Sequence, residues 1–192
     1  MNMQHIRQFY ASLPQAGAFE KLLEDKSVRN IFLQGLMASA TPMFFASIAK
    51  QINRTVVFVL NDADEAGYFY HDLVQMMGAE QVLFLPSSYR RAVKYGQRDA
   101  ANEILRTEVL ARISSFPLHR EQEKASPYIV TYPEALAELV VSKQRLDERI
   151  LKLQVGQTVD VIQIEKQLRE FGFNEVDYVY EPGQFALRGS IL

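Results

Sequence analysis

The sequence contains no cysteine, no tryptophan and only three histidines among its 192 residues. The lack of cysteine excludes a disulfide framework and a thiolate metal site. The histidines, His5, His71 and His119, have no partners at metal-ligand spacing, so we expect no metal site. The N-terminus lacks the apolar core of a signal peptide, and no apolar run approaches the roughly 20 residues that span a bilayer. We therefore expect a cytoplasmic protein without a membrane partner.

The composition is otherwise ordinary, with 48% hydrophobic residues, 23% charged residues and a formal net charge of −2. This content supports compact cores and gives no global attraction to nucleic acid or to a membrane. The sequence stops within an apolar run, FALRGSIL, so we expect it to be a piece of a longer protein.

Apolar runs alternate with amphipathic stretches through the first 141 residues, after two short opening helices that carry little further signal. Buried strands are predicted in VRNIFLQG, TVVFVL, QVLFLP and SPYIVTY, and the main helices in TPMFFASIAKQI, NDADEAGYFYHDLVQMMG and ANEILRTEVLARISSF. Strands that alternate with helices predict a doubly wound α/β domain over residues 1–141, with a parallel sheet and helices on both faces.

The pattern changes near residue 142. A strand and turn are predicted in RILKLQVGQTVD, an amphipathic helix in VIQIEKQLREFGF, and two strands around Glu181-Pro182-Gly183 in VDYVYEPGQFALRGSIL. The order β-α-β-β predicts a small α+β domain over residues 142–192.

The segment LQGLMASATPMFF has the layout of a phosphate-binding loop, because a glycine follows the first predicted strand and a helix follows the glycine. In the motif G-x-x-x-x-G-K-[ST], the lysine reaches the outer phosphates and the hydroxyl holds Mg²⁺. Counted from Gly35, those last three positions hold Ala40, Thr41 and Pro42. We therefore expect no nucleotide cofactor and no catalytic residue, and we interpret the segment as a strand-to-helix turn.

An acidic pair, Asp62 and Glu65, follows the strand TVVFVL and resembles a Mg²⁺-binding pair. Because Glu65 stands three residues after Asp62 at the start of a helix, a capping box explains the pair better.

A locally basic segment carries two interleaved tyrosines, Tyr89 and Tyr95. Its cations are Arg90, Arg91, Lys94 and Arg98. Cations interleaved with aromatic rings could contact a nucleic-acid backbone or its bases. A solvated loop is the favoured interpretation.

The order of these pieces resembles a known family. VVFVLNDADEAGYFYHDLVQMMG, VLFLPSSYRRAVKYGQRDAANEILRTEVLARI and YIVTYPEAL resemble the first domain of the excision-repair helicase UvrB, and EPGQFALRGSIL resembles the UvrA-binding domain of that family. UvrB keeps an intact phosphate loop, so a UvrB-like start with a degraded loop resembles the N-terminal part of bacterial transcription-repair coupling factors. The resemblance covers nearly all of residues 27–192, and Gly183–Leu192 is its most specific part.

The resemblance implies a degenerate P-loop domain of the RecA/helicase-like class, followed by a UvrB-type α+β module. It implies a non-catalytic segment that recruits the nucleotide excision repair protein UvrA to a stalled RNA polymerase. ATP-driven translocation on DNA and the polymerase contact belong to later domains of that family, so the parent protein, and not this segment, is expected to be an enzyme. In the family the module is held back by an intramolecular contact with a C-terminal domain.

The resemblance also assigns site residues. Arg188 matches the arginine that contacts UvrA in the family, and Phe185 and Gly189 match its neighbours. From chemistry alone, Arg188 could form a bidentate pair with a carboxylate across an interface or a cross-strand pair with Glu181 or Asp177. Two alternative functions stay open: a UvrB-like ATPase with an atypical loop, and a DNA-binding module.

Overall fold

A computed structural model describes residues 3–49, 52, 54–89, 98–115, 128–189 and 191–192. These residues form eight helices and five strands. The helices are α1 (Met3–Ala11), α2 (Pro14–Glu24), α3 (Ala40–Ile48), α4 (Ala63–Met77), α5 (Ala100–Ser115), α6 (Pro133–Leu136), α7 (Lys143–Asp147) and α8 (Val161–Glu170). The strands are β1 (Val56–Val59), β2 (Val82–Leu85), β3 (Tyr128–Thr131), β4 (Asn174–Glu175) and β5 (Gln184–Phe185).

The first three strands form a parallel sheet in the order β1-β3-β2. Val56 of β1 and Val82 of β2 both pair with Tyr128, so β3 is the central strand. All four residues of β3 are buried, which explains why its sequence, YIVT, does not alternate between apolar and polar residues. The predicted mixture of helices and strands around a small parallel sheet is confirmed.

Helices cover both faces of this sheet. Successive side chains of a strand point to opposite sides, so the apolar strands present side chains for burial on both faces. On one face Val82 and Val130 lie in a core with Leu73 of α4. On the other face Leu83 lies in a core with Val109 of α5. Burying a side chain of this size typically contributes about 1.5–3 kcal/mol to stability.

The first two helices pack on α3 and form a separate apolar core. Its buried members are Ala16, Phe19, Phe44, Ile48 and Ile52. Arg7 of α1 donates hydrogen bonds to the carbonyl of Ala46 at 3.0 Å and to that of Met76 at 2.9 Å. These carbonyls belong to the last turns of α3 and α4, where acceptors lack an intrahelical partner. Arg7 therefore ties the N-terminal helix to the ends of two others.

Two predicted strands are absent, and a third, predicted in residues 176–180, is replaced by a short strand at Asn174–Glu175. Residues 28–34 and residues 150–154, all of them described, form no strand. Phe32 is 87% exposed and Leu153 is 50% exposed. A strand needs a neighbour that accepts its hydrogen bonds, and neither segment has one within the described part of the chain.

The C-terminal module is consequently simpler than the predicted β-α-β-β unit. Helix α8 is followed by β4 and β5, which pair in parallel through Asn174 with Gln184 and Glu175 with Phe185. Within the described residues the order is α-β-β, and each strand has only two residues. The boundary between residues 141 and 142 stays a prediction. No described helix is both long and apolar enough to cross a membrane.

Candidate functional site

Arg188 is exposed and held from two sides. One Nη2–H group donates to the main-chain carbonyl of Asp177 at 3.0 Å. The guanidinium carbon lies 4.4 Å from the centre of the Tyr178 ring, which is well inside the range of a cation–π contact. Among the described residues, no carboxylate lies within ion-pair distance of Arg188. Neither Glu181 nor Asp177 therefore forms the predicted cross-strand salt bridge, although Asp177 contributes its carbonyl.

Two exposed tyrosines lie close to each other, and one of them, Tyr178, contacts this arginine. Tyr178 is 61% exposed and Tyr180 is 85% exposed. Their ring centres are 6.4 Å apart. Large aromatic side chains and arginine are the residue types that most often carry binding energy at protein interfaces. We define Tyr178, Tyr180 and Arg188 as the tyrosine–arginine surface.

Phe185 lies in the interior of the module, with 5% of its area exposed. The guanidinium carbon of Arg169 lies 5.7 Å from the centre of its ring. Arg169 in turn bonds to Glu165 at 2.9 Å and also pairs with Glu175. These contacts join α8 to β4 and β5, so Phe185 is placed to support the module from within.

Gly189 stands in a tight turn. Arg188 and Ile191 exchange two main-chain hydrogen bonds, of 3.0 and 3.1 Å. Gly189 has a φ of +61°, which is in the left-handed region that glycine adopts without a steric penalty. The glycine of the R-G pair thus shapes the backbone directly after Arg188.

The loop that resembles a phosphate-binding loop has its own hydrogen bonds. The N–H of Ala40 donates to the carbonyl of Met37 at 2.9 Å, and that of Thr41 donates to Ala38 at 3.3 Å. Pro42 is buried and has no N–H to offer. Gly35, with a φ of +91°, follows no strand within the described residues. The N–H groups at the start of α3 that would cradle a phosphate are therefore engaged or missing.

A polar network that sequence reasoning missed lies at the carboxyl edge of the sheet, and we call it the carboxyl-edge network: Ser87, Ser88, Arg106 and Glu138. Both oxygens of Glu138 accept from Ser88, with hydroxyl and N–H bonds of 2.6–3.1 Å, and one also accepts from the Ser87 hydroxyl. Burial by itself raises the pKa of Glu138. The bonds from Ser87 and Ser88 and the charge of Arg106 outweigh this effect and lower the pKa below its ordinary value of 4.5.

Arg106 is the cation of this network and is only 7% exposed. Its Nη1 group donates to the carbonyls of Pro86 at 2.7 Å and Ala135 at 3.0 Å. Its Nε atom lies 3.6 Å from Glu138 Oε2. The arginine thus joins α5 to the chain that follows β2 and to α6. In open parallel sheets ligands bind beyond the carboxyl ends of the strands, and here side chains of the protein itself occupy part of that edge.

Asp62 caps α4. Its Oδ1 accepts from the N–H groups of Asp64 at 3.0 Å and Glu65 at 2.9 Å. In an ideal capping box the Glu65 carboxylate would accept from the N–H of Asp62. Here it accepts from the N–H of the preceding residue, Asn61, at 3.2 Å. The capping interpretation of this acidic pair is confirmed.

Most of the predicted basic segment lies outside the described residues. This applies to Arg90, Arg91 and Lys94. Arg98 is described: its Nη1 lies 3.0 Å from Glu103 Oε1, and its side chain is 66% exposed. The pair places a carboxylate directly beside this cation.

Potential metal ligands do not gather in the described part of the chain. No group of three histidine, aspartate or glutamate side chains there is arranged to hold an ion. Glu138 already accepts hydrogen bonds on both oxygens.

Comparison with known proteins connects this chain to one group. Residues 151–192 match the family model of the UvrB interaction domain. The whole chain is 21% identical, over 99% of its length, to the transcription-repair-coupling factor of Bacillus subtilis (strain 168). It is 24% identical, over 91% of its length, to the transcription-repair-coupling factor of Staphylococcus aureus (strain bovine RF122 / ET3-1). The chain spans 15% and 14% of the lengths of these two relatives.

The matched segment contains Arg188, Tyr178 and the whole tyrosine–arginine surface. It also contains Phe185 and the turn at Gly189, which supply the interior and the backbone shape of the same module. The tyrosine–arginine surface thus lies wholly within the segment that matches the family model. The predicted resemblance is confirmed: this chain is similar to the transcription-repair-coupling factors, and its residues 151–192 match the model of the UvrB interaction domain.

Proposed function

We propose that this chain is a non-catalytic segment of a transcription-repair coupling protein and that its C-terminal module recruits UvrA. On the tyrosine–arginine surface, Arg188 is the anchor that contacts UvrA. The first unit, which we interpret as a degenerate P-loop domain, presents the module and hydrolyses no nucleotide. Transcription-repair coupling is the role that the names of the relatives support.

The observation that carries the proposal is the state of Arg188. Its guanidinium is exposed, oriented by Tyr178 and Asp177, and without a carboxylate partner among the described residues. An arginine in this state has donors left for a carboxylate on a second protein. Truncating a hot-spot arginine typically costs about 2 kcal/mol or more of binding free energy.

Phe185 and Gly189 act indirectly in this proposal. Phe185 is buried and holds the module together, and Gly189 sets the turn beside Arg188. Both residues belong to the proposed UvrA site through the shape they give it.

The remaining contacts of the longer protein are proposed on the basis of the relatives. RNA polymerase, DNA and ATP are bound by other domains of that protein, and a C-terminal domain covers the module until it is needed. Contact of DNA with the basic segment is the alternative, and at Arg98 it would replace the exposed pair with Glu103. We place the protein in the cytoplasm, where repair and transcription meet in bacteria.

The test is a calorimetric titration of purified UvrA with the 192-residue chain. We expect measurable binding, and we expect Arg188→Ala to weaken it at least tenfold, which corresponds to about 1.4 kcal/mol. Arg54→Ala is the matched control, because Arg54 is also exposed and also donates to one carbonyl, that of Leu23 at 2.8 Å. Equal affinities of the wild type and Arg188→Ala would refute Arg188 as the anchor.

A further inference from the structure

We propose that Tyr178 is a positioning residue that keeps Arg188 available for its partner. The ring holds the guanidinium in place and away from the module's own carboxylates. This inference rests on the proposed function, and it adds a residue whose role is exerted through Arg188.

The geometry of the pair supports this role. The guanidinium carbon lies 4.4 Å from the centre of the Tyr178 ring. The carbonyl of Asp177, the residue before Tyr178, accepts from Nη2 at 3.0 Å. One dipeptide therefore supplies both a surface and a fixed acceptor. Only one of the five guanidinium N–H groups is engaged in that bond, so donors remain for a partner.

Acidic residues near Arg188 in the sequence give the stacking by Tyr178 a purpose. Glu175, Asp177 and Glu181 all stand within 14 positions of Arg188 in the sequence. An arginine without a fixed position would be free to pair with a nearby carboxylate, and an incoming partner would then have to break that pair. A stacked guanidinium avoids this cost before binding, as preorganised interface groups do.

Two of these carboxylates are occupied by other partners. Glu175 pairs with Arg169. Glu181 Oε1 accepts from the side-chain amide of Gln184 at 3.0 Å. With these two engaged and Tyr178 beneath the guanidinium, Arg188 stays directed to solvent. The matching chemistry on UvrA is a carboxylate that meets the free edge of the guanidinium.

The experiment is a double-mutant cycle on UvrA affinity with the 192-residue chain. Tyr178→Ala is expected to weaken binding about twofold to fivefold, the range that an exposed cation–π contact provides. Tyr178→Phe keeps the ring and should bind like the wild type. In an Arg188→Ala background, Tyr178→Ala should cause no further loss. Tyr68→Ala is the matched control, because Tyr68 is a 78% exposed tyrosine on α4.

A second readout does not depend on UvrA. The ¹⁵N–{¹H} nuclear Overhauser effect of the Arg188 Nε–H should report an ordered side chain in the wild type and in Tyr178→Phe, and a mobile one in Tyr178→Ala. A mobile guanidinium in the wild type would overturn the inference.

The outcomes separate this inference from the proposed function. If Arg188→Ala weakens binding and Tyr178→Ala does not, the positioning role is wrong and the UvrA contact stands. Independent losses from both substitutions would make Tyr178 a direct contact and would also overturn the positioning role. If neither the wild type nor any variant binds UvrA, the proposed function fails, and this inference fails with it.

Discussion

At the scale of single residues, one arginine that the sequence pattern predicts to be exposed is buried and joins several elements of the fold. Arg106 stands between apolar residues on α5, where the helical spacing of Ile104 and Val109 favours these two as buried residues. In the structure Ile104 is 48% exposed, whereas Arg106 is 7% exposed and Val109 is 1% exposed. The burial of Arg106 could not be predicted, because it depends on the carbonyls of Pro86 and Ala135, which lie far away in the sequence.

Replacing Arg106 with methionine should destabilise the fold by about 3–5 kcal/mol, because it leaves the buried Glu138 without its counter-charge and two carbonyls without their donor. The midpoint of urea unfolding measures the effect. Arg98→Ala is the control and should leave the midpoint unchanged, because the Arg98–Glu103 pair is exposed. A midpoint for Arg106→Met equal to that of the wild type would show that the carboxyl-edge network is not structural.

Glu138 should make stability depend on acid pH. Its folded-state pKa is lowered from 4.5, so the ionised carboxylate stabilises the fold above that value, and the stabilisation is lost as the pH falls through the folded-state pKa. Glu138→Gln should therefore be less stable than the wild type near neutral pH. The difference should shrink below pH 4.5 in urea unfolding curves recorded across the acid range. A difference that stays constant with pH would contradict this account.

At the scale of elements, locally specified helices were predictable and isolated strands were not. Helix α4 runs from Ala63 to Met77 between the Asp62 cap and Gly78, as its capping residues predict. Helix α8 likewise begins after Asp160 and ends before Gly172. Residues 28–34 and 150–154 have strand-like composition but no neighbouring strand in the described structure, and pairing is a property of the whole fold.

The cap of α4 gives a prediction at this scale. Asp62→Ala should cost about 0.5–2 kcal/mol, because two N–H groups in the first turn lose their acceptor. Asp62→Asn should retain most of the stability, since an asparagine oxygen can accept the same bonds. Thermal unfolding compares the three proteins. Equal losses for alanine and asparagine would indicate that the charge, and not the hydrogen bonds, stabilises the helix.

At the scale of the whole molecule, an α/β sheet is followed by a small C-terminal module. This module has little regular secondary structure, but its side chains form a defined surface around Arg188. The family resemblance pointed to Arg188, but only the structure shows that Tyr178 lies beneath its guanidinium and that Phe185 is buried. Alternation along the predicted strand places Phe185 on the same side as Leu187, as a candidate core residue, and the structure shows it buried although its strand has only two residues. The N-terminal helices carry little sequence signal, yet an apolar core shared with α3 and the hydrogen bonds of Arg7 hold them to the rest of the fold.

The first unit should not respond to nucleotide. The N–H groups of Ala40 and Thr41 are engaged within the loop, and position 41 offers no ammonium group to a phosphate. The melting temperature of the 192-residue chain should therefore stay constant when ATP and Mg²⁺ are added up to millimolar concentrations. A rise that grows with nucleotide concentration would be the signature of binding and would favour the ATPase alternative.

The most direct test of the central claim is a hydrogen-exchange footprint of UvrA on this chain. The account predicts that UvrA slows amide exchange across residues 176–189, around the tyrosine–arginine surface, and leaves the parallel sheet unchanged. Protection confined to the sheet and its helices, with residues 176–189 exchanging as in the free chain, would contradict the account.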